Sequence, residues 1–184
     1  MVAEERPMSA ASGVRASFLW GPLTPFALAV AVAAAAIDQA AKLWLLFVVD
    51  LPARGIVRLT PFLDLVLTWN TGISWGLFRQ EGPLGQGALL ALKAIAVVLL
   101  WIWLSRTTSR LAALSLGLII GGAVGNAIDR FAYGAVVDFV LFHINTASFS
   151  FNWYVFNLAD VAIVAGVIGL LFETLIGTGA AKAP

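Results

Sequence analysis

A chain of 184 residues that is 61% hydrophobic and only 11% charged, with a mean hydropathy of +0.95, lies outside the composition of soluble globular domains and has that of an integral membrane protein. Its length accommodates a few spans and modest loops, so one compact domain without a separate soluble module is expected. A net charge of +1 argues against a nucleic-acid partner, and the lack of cysteine together with a single histidine, His143, excludes disulfides, thiolate chemistry and Cys- or His-rich metal sites.

The first twenty or so residues are polar and rich in Ser and Ala, and residues 1–22 read as a flexible leader. The small residues of AVAAAAIDQA suit a cleavable signal peptide, but the apolar run continues through LWLLFVV, beyond the length of such a segment, so 26–49 is read as the first span. Within it Asp38 and Lys42 are four residues apart, share one helix face and can neutralise each other, which lowers their cost in lipid. The 50–86 loop contains FLDLVLTW (62–69), which alternates like a strand, and then the turn signal NTG, so a small sheet resting on the membrane surface is expected. Spans at 87–104 and 111–128 follow, joined by a short connection that Arg106 and Arg110 bracket.

The third span runs into GNAIDRFAYGAVVDF (125–139), where Asn126 and Asp129 are placed to cap helix ends or brace loops and Arg130 to partner a carboxylate or a lipid phosphate. The second loop, 129–156, ends in the aromatic segment FSFNWYVF (149–156), suited to headgroup depth. The fourth span, 157–176, opens with FNLAD and carries Asp160 in its first turn. A single membrane-embedded domain over 23–177 and a tail over 178–184 complete the organisation.

Four spans put both termini on one side and both large loops on the other, so Asp138 and Asp160 can meet. The arginine pair at the short hairpin favours cytoplasmic termini and outward-facing loops. Neither aspartate has a basic residue at helical spacing. Two such carboxylates brought close cannot both ionise comfortably, which suits one as general base on a water and the other as general acid, the arrangement of peptide hydrolysis. The same residues also suit structural roles, Asp138 as a helix or turn cap and Asp160 as an acceptor for backbone N–H groups at the start of the fourth span. Chemistry alone leaves both readings open.

The order of DQAAK (38–42), NTGISWGLF (70–78), GNAIDRFAYGAVVDF and FNLAD resembles lipoprotein signal peptidase, also called signal peptidase II, over about residues 30–176. The resemblance implies an all-α membrane protein, a four-transmembrane-helix bundle with a small extracytoplasmic β-type cradle in the first large loop. It implies an aspartic endopeptidase of the bacterial cytoplasmic (inner) membrane, needing no metal or cofactor. That enzyme cleaves diacylglyceryl-modified prolipoproteins on the N-terminal side of the lipidated cysteine, near the extracytoplasmic face. Asp138 and Asp160 match the family's catalytic pair. Asn126 and Arg130 match positions that shape the site and hold substrate, Asn70 matches the first-loop asparagine, and Asp38, Lys42, Gly72, Asp129 and Asn157 match positions that stabilise the site. Membrane lipids are the other expected partners, and a monomer is expected. Ser74 and Trp75 depart from the usual small residue and Phe, which bears on the pocket lining.

Two competing readings are weighed beside this. GISWG (72–76) fits the G-x-S-x-G elbow of serine hydrolases, but Gly and Pro follow where a helix is needed, and the only base would be His143, which nothing places near Ser74. A proton-coupled membrane transporter would also use intramembrane carboxylates, yet the chain has neither inverted repeats nor Gly- or Pro-broken spans.

Overall fold

The computed structural model of the chain describes residues 19–72 and 83–180. Among them, four helices are long and apolar enough to cross a membrane, Thr24–Val48, Gly87–Arg106, Arg110–Tyr133 and Leu158–Leu175, on the four runs the sequence marks out. The elements in chain order are α1 (Thr24–Leu43), which continues as a π-helical turn through Val48, α2 (Leu51–Arg54), β1 (Val57–Thr60), β2 (Leu63–Asn70), α3 (Pro83–Arg106), α4 (Arg110–Tyr133), β3 (Val136–Asn145), β4 (Ser150–Asn152) and α5 (Leu158–Ala180). The leader up to residue 18, Ser74 and Trp75 within the GISWG motif, and residues 181–184 lie outside the described residues.

The third span is the centre of the bundle. Helix α4 packs against α1, α3 and α5, and 56% of its span is buried, against 22% for the first span and 11% for each of the other two. Its small residues explain this position, because close approach between helices in lipid depends on side chains that leave room for the neighbouring backbone. A Cβ on Gly117 would come within 2.7 Å of the Ala27 carbonyl oxygen, and one on Gly125 within 2.9 Å of Asp38 Oδ2. Ala27, Ala31, Leu104, Ala113, Leu116 and Ile120 fill the seam between α1, α3 and α4. Leu92, Ile95, Val98 and Leu99 on α3, and Val164, Ile168 and Leu171 on α5, stay exposed, as helix faces turned to lipid do.

At one end of the bundle lies an antiparallel sheet in the order β1-β2-β3-β4. The sheet expected from the first loop is therefore larger than that loop: two of its four strands come from the second. Gly134, at φ +73°, ends α4 in the left-handed conformation and turns the chain into β3. Pairing of β2 with β3 sets Thr68 opposite Asp138 and Asn70 opposite Val136. Phe156 then bridges back to Val140, its carbonyl accepting from Phe139 N and Val140 N at 3.0 and 2.8 Å. That bridge lays the chain entering α5 alongside β3. Leu45, Leu51 and Phe139 form the apolar contact between bundle and sheet. The aromatic segment behaves as expected of interfacial residues: Phe149, Trp153 and Tyr154 are exposed, and Phe149, Phe151, Trp153 and Tyr154 form a chain of ring contacts.

Candidate functional site

Asp138 stands on β3 with 2% of its surface exposed. Neighbouring Val136, Val137 and Phe139 are buried too, so this end of the strand is enclosed on both faces. Its carboxylate accepts from two amides, Asn157 Nδ2 on Oδ1 at 2.6 Å and Asn70 Nδ2 on Oδ2 at 2.9 Å. Both amides are held from behind: Asn70 Oδ1 accepts from Gly72 N at 3.0 Å, and Asn157 Oδ1 accepts from Asp160 N at 2.9 Å. Burial pushes the Asp138 carboxyl up from 3.8 to about 6. The hydrogen bond from Asn70 pulls it back, the neighbouring Asp160 charge raises it again, and the Asn157 hydrogen bond and the Lys42 charge oppose it.

Asp160, the third residue of α5, is fixed by a reciprocal cap. Asn157 N donates to Asp160 Oδ2 at 3.2 Å, while Asn157 Oδ1 takes the Asp160 N–H, the two-way arrangement of a capping box. Its other oxygen, Oδ1, accepts from Asn126 Nδ2 at 3.0 Å. The structural reading of Asp160 as a helix-start acceptor is thus realised in one oxygen, leaving the other toward the site. Asp138 caps no helix; both of its oxygens are spent on side-chain amides. Asn157, fully buried, is the link, touching Asp138, Asp160 and, through Nδ2, Asn126 Oδ1 at 3.0 Å.

Beneath these groups lies a buried ionic cluster. The expected pair of Lys42 with Asp38 is present at 2.7 Å, and Asp129 joins it at 2.6 Å, so one ammonium serves two carboxylates. Lys42 Nζ also donates to Asn126 Oδ1 at 3.2 Å. Each acid holds a neighbouring element in place. Asp38 Oδ1 accepts from Ala159 N at the start of α5 at 2.9 Å, and Asp129 Oδ2 accepts from Val137 N on β3 at 3.0 Å. The cluster therefore anchors the two segments that carry Asp138 and Asp160. Arg130 Nη2 donates to the Gly72 carbonyl, tying the first-loop motif to α4. All ten residues singled out in the sequence converge here.

Asp138, Asp160, Asn70, Asn126 and Arg130 line a cavity of about 570 Å³. Val161, Ile163, Val164 and Ile168 of α5 extend it as an apolar wall, and Trp153 to Phe156 form its rim toward the sheet. A polar end with paired carboxylates and a long apolar flank suits a peptide bond joined to a greasy group.

Two residues escaped the sequence reading. Gln39 lies inside DQAAK, and its Nε2 donates to Asp129 Oδ1 at 2.8 Å and to the Gly125 carbonyl at 3.0 Å; its i, i+3 spacing to Lys42 was the available signal. Lys93 on α3 also lines the cavity. As a lone charge in an 18-residue apolar run it was visible, but no neighbour in sequence hinted at its destination. His143 lies elsewhere, on β3 with Nε2 3.1 Å from Asp64 Oδ2, in a separate cavity on the sheet. It lies on a strand and is 13% exposed at its side chain.

Residues 30–176 match the family model described as signal peptidase (SPase) II. A lipoprotein signal peptidase of Nitrobacter hamburgensis is 66% identical over 157 residues, covering 85% of this chain and 96% of the relative. One from Rhodopseudomonas palustris strain TIE-1 is 60% identical over 164 residues, covering 88% of this chain and all of that protein, 100%. A solved bacterial membrane enzyme has the same fold, with a TM-score of 0.72 at 24% identity over 87% of this chain and 93% of its own. These matches favour peptide cleavage over the proton-coupled transporter. The chain belongs to the lipoprotein signal peptidase, or signal peptidase II, family.

Proposed function

We propose that this chain is a membrane aspartic endopeptidase that removes the signal peptide of diacylglyceryl-modified prolipoproteins, cutting on the N-terminal side of the lipidated cysteine. The observation that carries the aspartic chemistry is the placement of Asp138 and Asp160 on one cavity wall, linked through Asn157. The ionised member takes a proton from water, and the resulting hydroxide attacks the scissile carbonyl carbon. The protonated member donates to the oxygen on which negative charge develops. Collapse of the tetrahedral adduct breaks the C–N bond, one of its hydroxyls returns a proton to the member that donated it, and the proton taken from water passes to the leaving amine. Asn70, Asn126 and Asn157 hold the two carboxylates, while Asp38, Lys42, Asp129, Gly72 and Arg130 hold the elements that carry them.

The apolar wall of α5 would receive the acyl chains laterally from the membrane. The protein works as a monomer in the bacterial cytoplasmic membrane, with both termini in the cytoplasm and the sheet and cavity toward the outer face. The arginine pair at the α3–α4 connection supports that orientation. The test is incubation of purified protein with a diacylated prolipoprotein and with its unlipidated form. Cleavage of the lipidated form alone is expected, and conversion of neither refutes the assignment. A cleavage-competent Asp138→Asn enzyme would refute the mechanism.

A further inference from the structure

A lysine inside a membrane span is costly unless it pairs or faces a polar cavity. Lys93 is such a lysine: it lies in the Gly87–Arg106 span and lines the cavity that holds Asp138 and Asp160. Among the described residues it has no hydrogen-bond or ion-pair partner. The charges it faces are Arg130, Asp160, Lys42 and Asp138, contributed by α4, α5, α1 and β3.

Formal charge around the cavity explains what an ammonium does there. By formal charge Asp38, Asp129, Lys42 and Arg130 sum to zero, with Lys42 paired to both acids and Arg130 facing Asp138 first and Asp129 second. Asp138 and Asp160 sharing one proton add a single negative charge that nothing in that set cancels. Tyr154, at the rim, is the other titratable group of the lining. Lys93, on the same cavity as Arg130, is the cation that brings the sum to zero. Building on the proposed peptidase chemistry, we infer that Lys93 is a positioning residue that keeps the Asp138–Asp160 pair singly ionised, and hence able to take a proton from water, at neutral pH. It acts across the cavity and leaves bond making to the carboxylates. Helix α3 thereby contributes to the site, although none of the family-like motifs lies on that helix.

The test compares wild type, Lys93→Met and Lys93→Arg over a range of pH, with kcat/KM for a lipidated prolipoprotein as readout. Removing a cation that faces a carboxylate raises its pKa, by up to about one unit across a cavity. Lys93→Met should therefore move the acid limb up by as much as about one pH unit, a loss of up to about tenfold on the acid side with none above the limb. Lys93→Arg should restore the wild-type profile. A second readout is independent of turnover: infrared titration of the protonated-carboxyl band, taken as the difference from Asp138→Asn, should show the same upward shift in Lys93→Met. An unchanged acid limb and band in Lys93→Met overturn the inference, as does activity lost equally at all pH values in a protein that still folds. If wild type cleaves no prolipoprotein, the peptidase assignment fails, and the infrared titration still decides the role of Lys93.

Discussion

Lys42→Met is the most exacting perturbation of this fold, because one ammonium neutralises Asp38 at 2.7 Å and Asp129 at 2.6 Å and both carboxylates are completely buried. Breaking a buried ion pair by removing one partner costs about 3–5 kcal/mol. Here two carboxylates lose their cation together, but neither is left bare. Asp129 keeps N–H donors from Gln39 and Val137, and Asp38 keeps those from Ala159 and, at 3.4 Å, Gln39. These bonds hold the loss near the lower bound, about 3 kcal/mol, instead of doubling it. For a chain of this size that is a fall of roughly 6–12 °C in unfolding temperature. The assay is thermal unfolding of purified protein in detergent, followed by tryptophan fluorescence. Adding Asp38→Asn and Asp129→Asn to Lys42→Met should recover more than half of the fall, because the residual penalty is uncompensated charge. A fall under about 2 °C, or a triple variant no more stable than Lys42→Met, refutes the reasoning.

The Asp138 carboxyl, raised from 3.8 to about 6, holds a proton in the folded protein that the unfolded chain has already released. Stability should therefore fall as pH rises through about 4 to 6, by about 3 kcal/mol in total, and the slope should vanish in Asp138→Asn; urea unfolding at pH 4, 5, 6 and 7 measures it, and a wild-type slope identical to that of the variant contradicts it. Asn157→Ala frees Asp138 and opens the cap on Asp160 together, so prolipoprotein cleavage should drop roughly 10- to 100-fold in a steady-state assay, and wild-type kinetics would deny Asn157 its linking role. Gly125→Ala brings a Cβ within 2.9 Å of Asp38 Oδ2 and should destabilise by about 1–3 kcal/mol. Gly87→Ala, with nothing within 4 Å of its Cβ, should be neutral or stabilise by up to about 1 kcal/mol; equal unfolding temperatures for the two variants would show that the α1–α4 contact is looser than described.

The spans were legible because length and apolarity alone determine them, and the Asp38–Lys42 pair because helical spacing places both on one face. Strand β2 was legible from its alternation. Strand β3 was not, because its first four residues, Val136 to Phe139, are all buried and a run enclosed on both faces has no period of two. The pairing of the two loops into one sheet is equally hidden, since strand register depends on partners far apart in sequence. Asp129 as a third member of the ionic cluster, Gln39 as its brace and Lys93 on the cavity wall are helix–helix contacts. No local pattern encodes which face of α3 or α4 meets α1. The motifs named residues that the fold brings together, while the hydrogen bonds that distinguish Asp138 from Asp160 came only with the fold.

The two readings of Asp160, as a helix-start acceptor and as a chemical group, turn out to require each other. Its Oδ2 receives the Asn157 N–H and its Oδ1 the Asn126 amide, so the side chain is fixed at both oxygens before any substrate arrives. Asp138 is enclosed within a strand, and burial drives its carboxyl upward to about 6. Two carboxylates in unlike environments are what separates acid from base at one pH. The asymmetry originates in backbone structure, a helix start on one side and a buried strand on the other, with Asn157 bonded to both. Under the proposed chemistry, substitutions that shift α5 against β3 should therefore lower prolipoprotein cleavage before they lower the unfolding temperature.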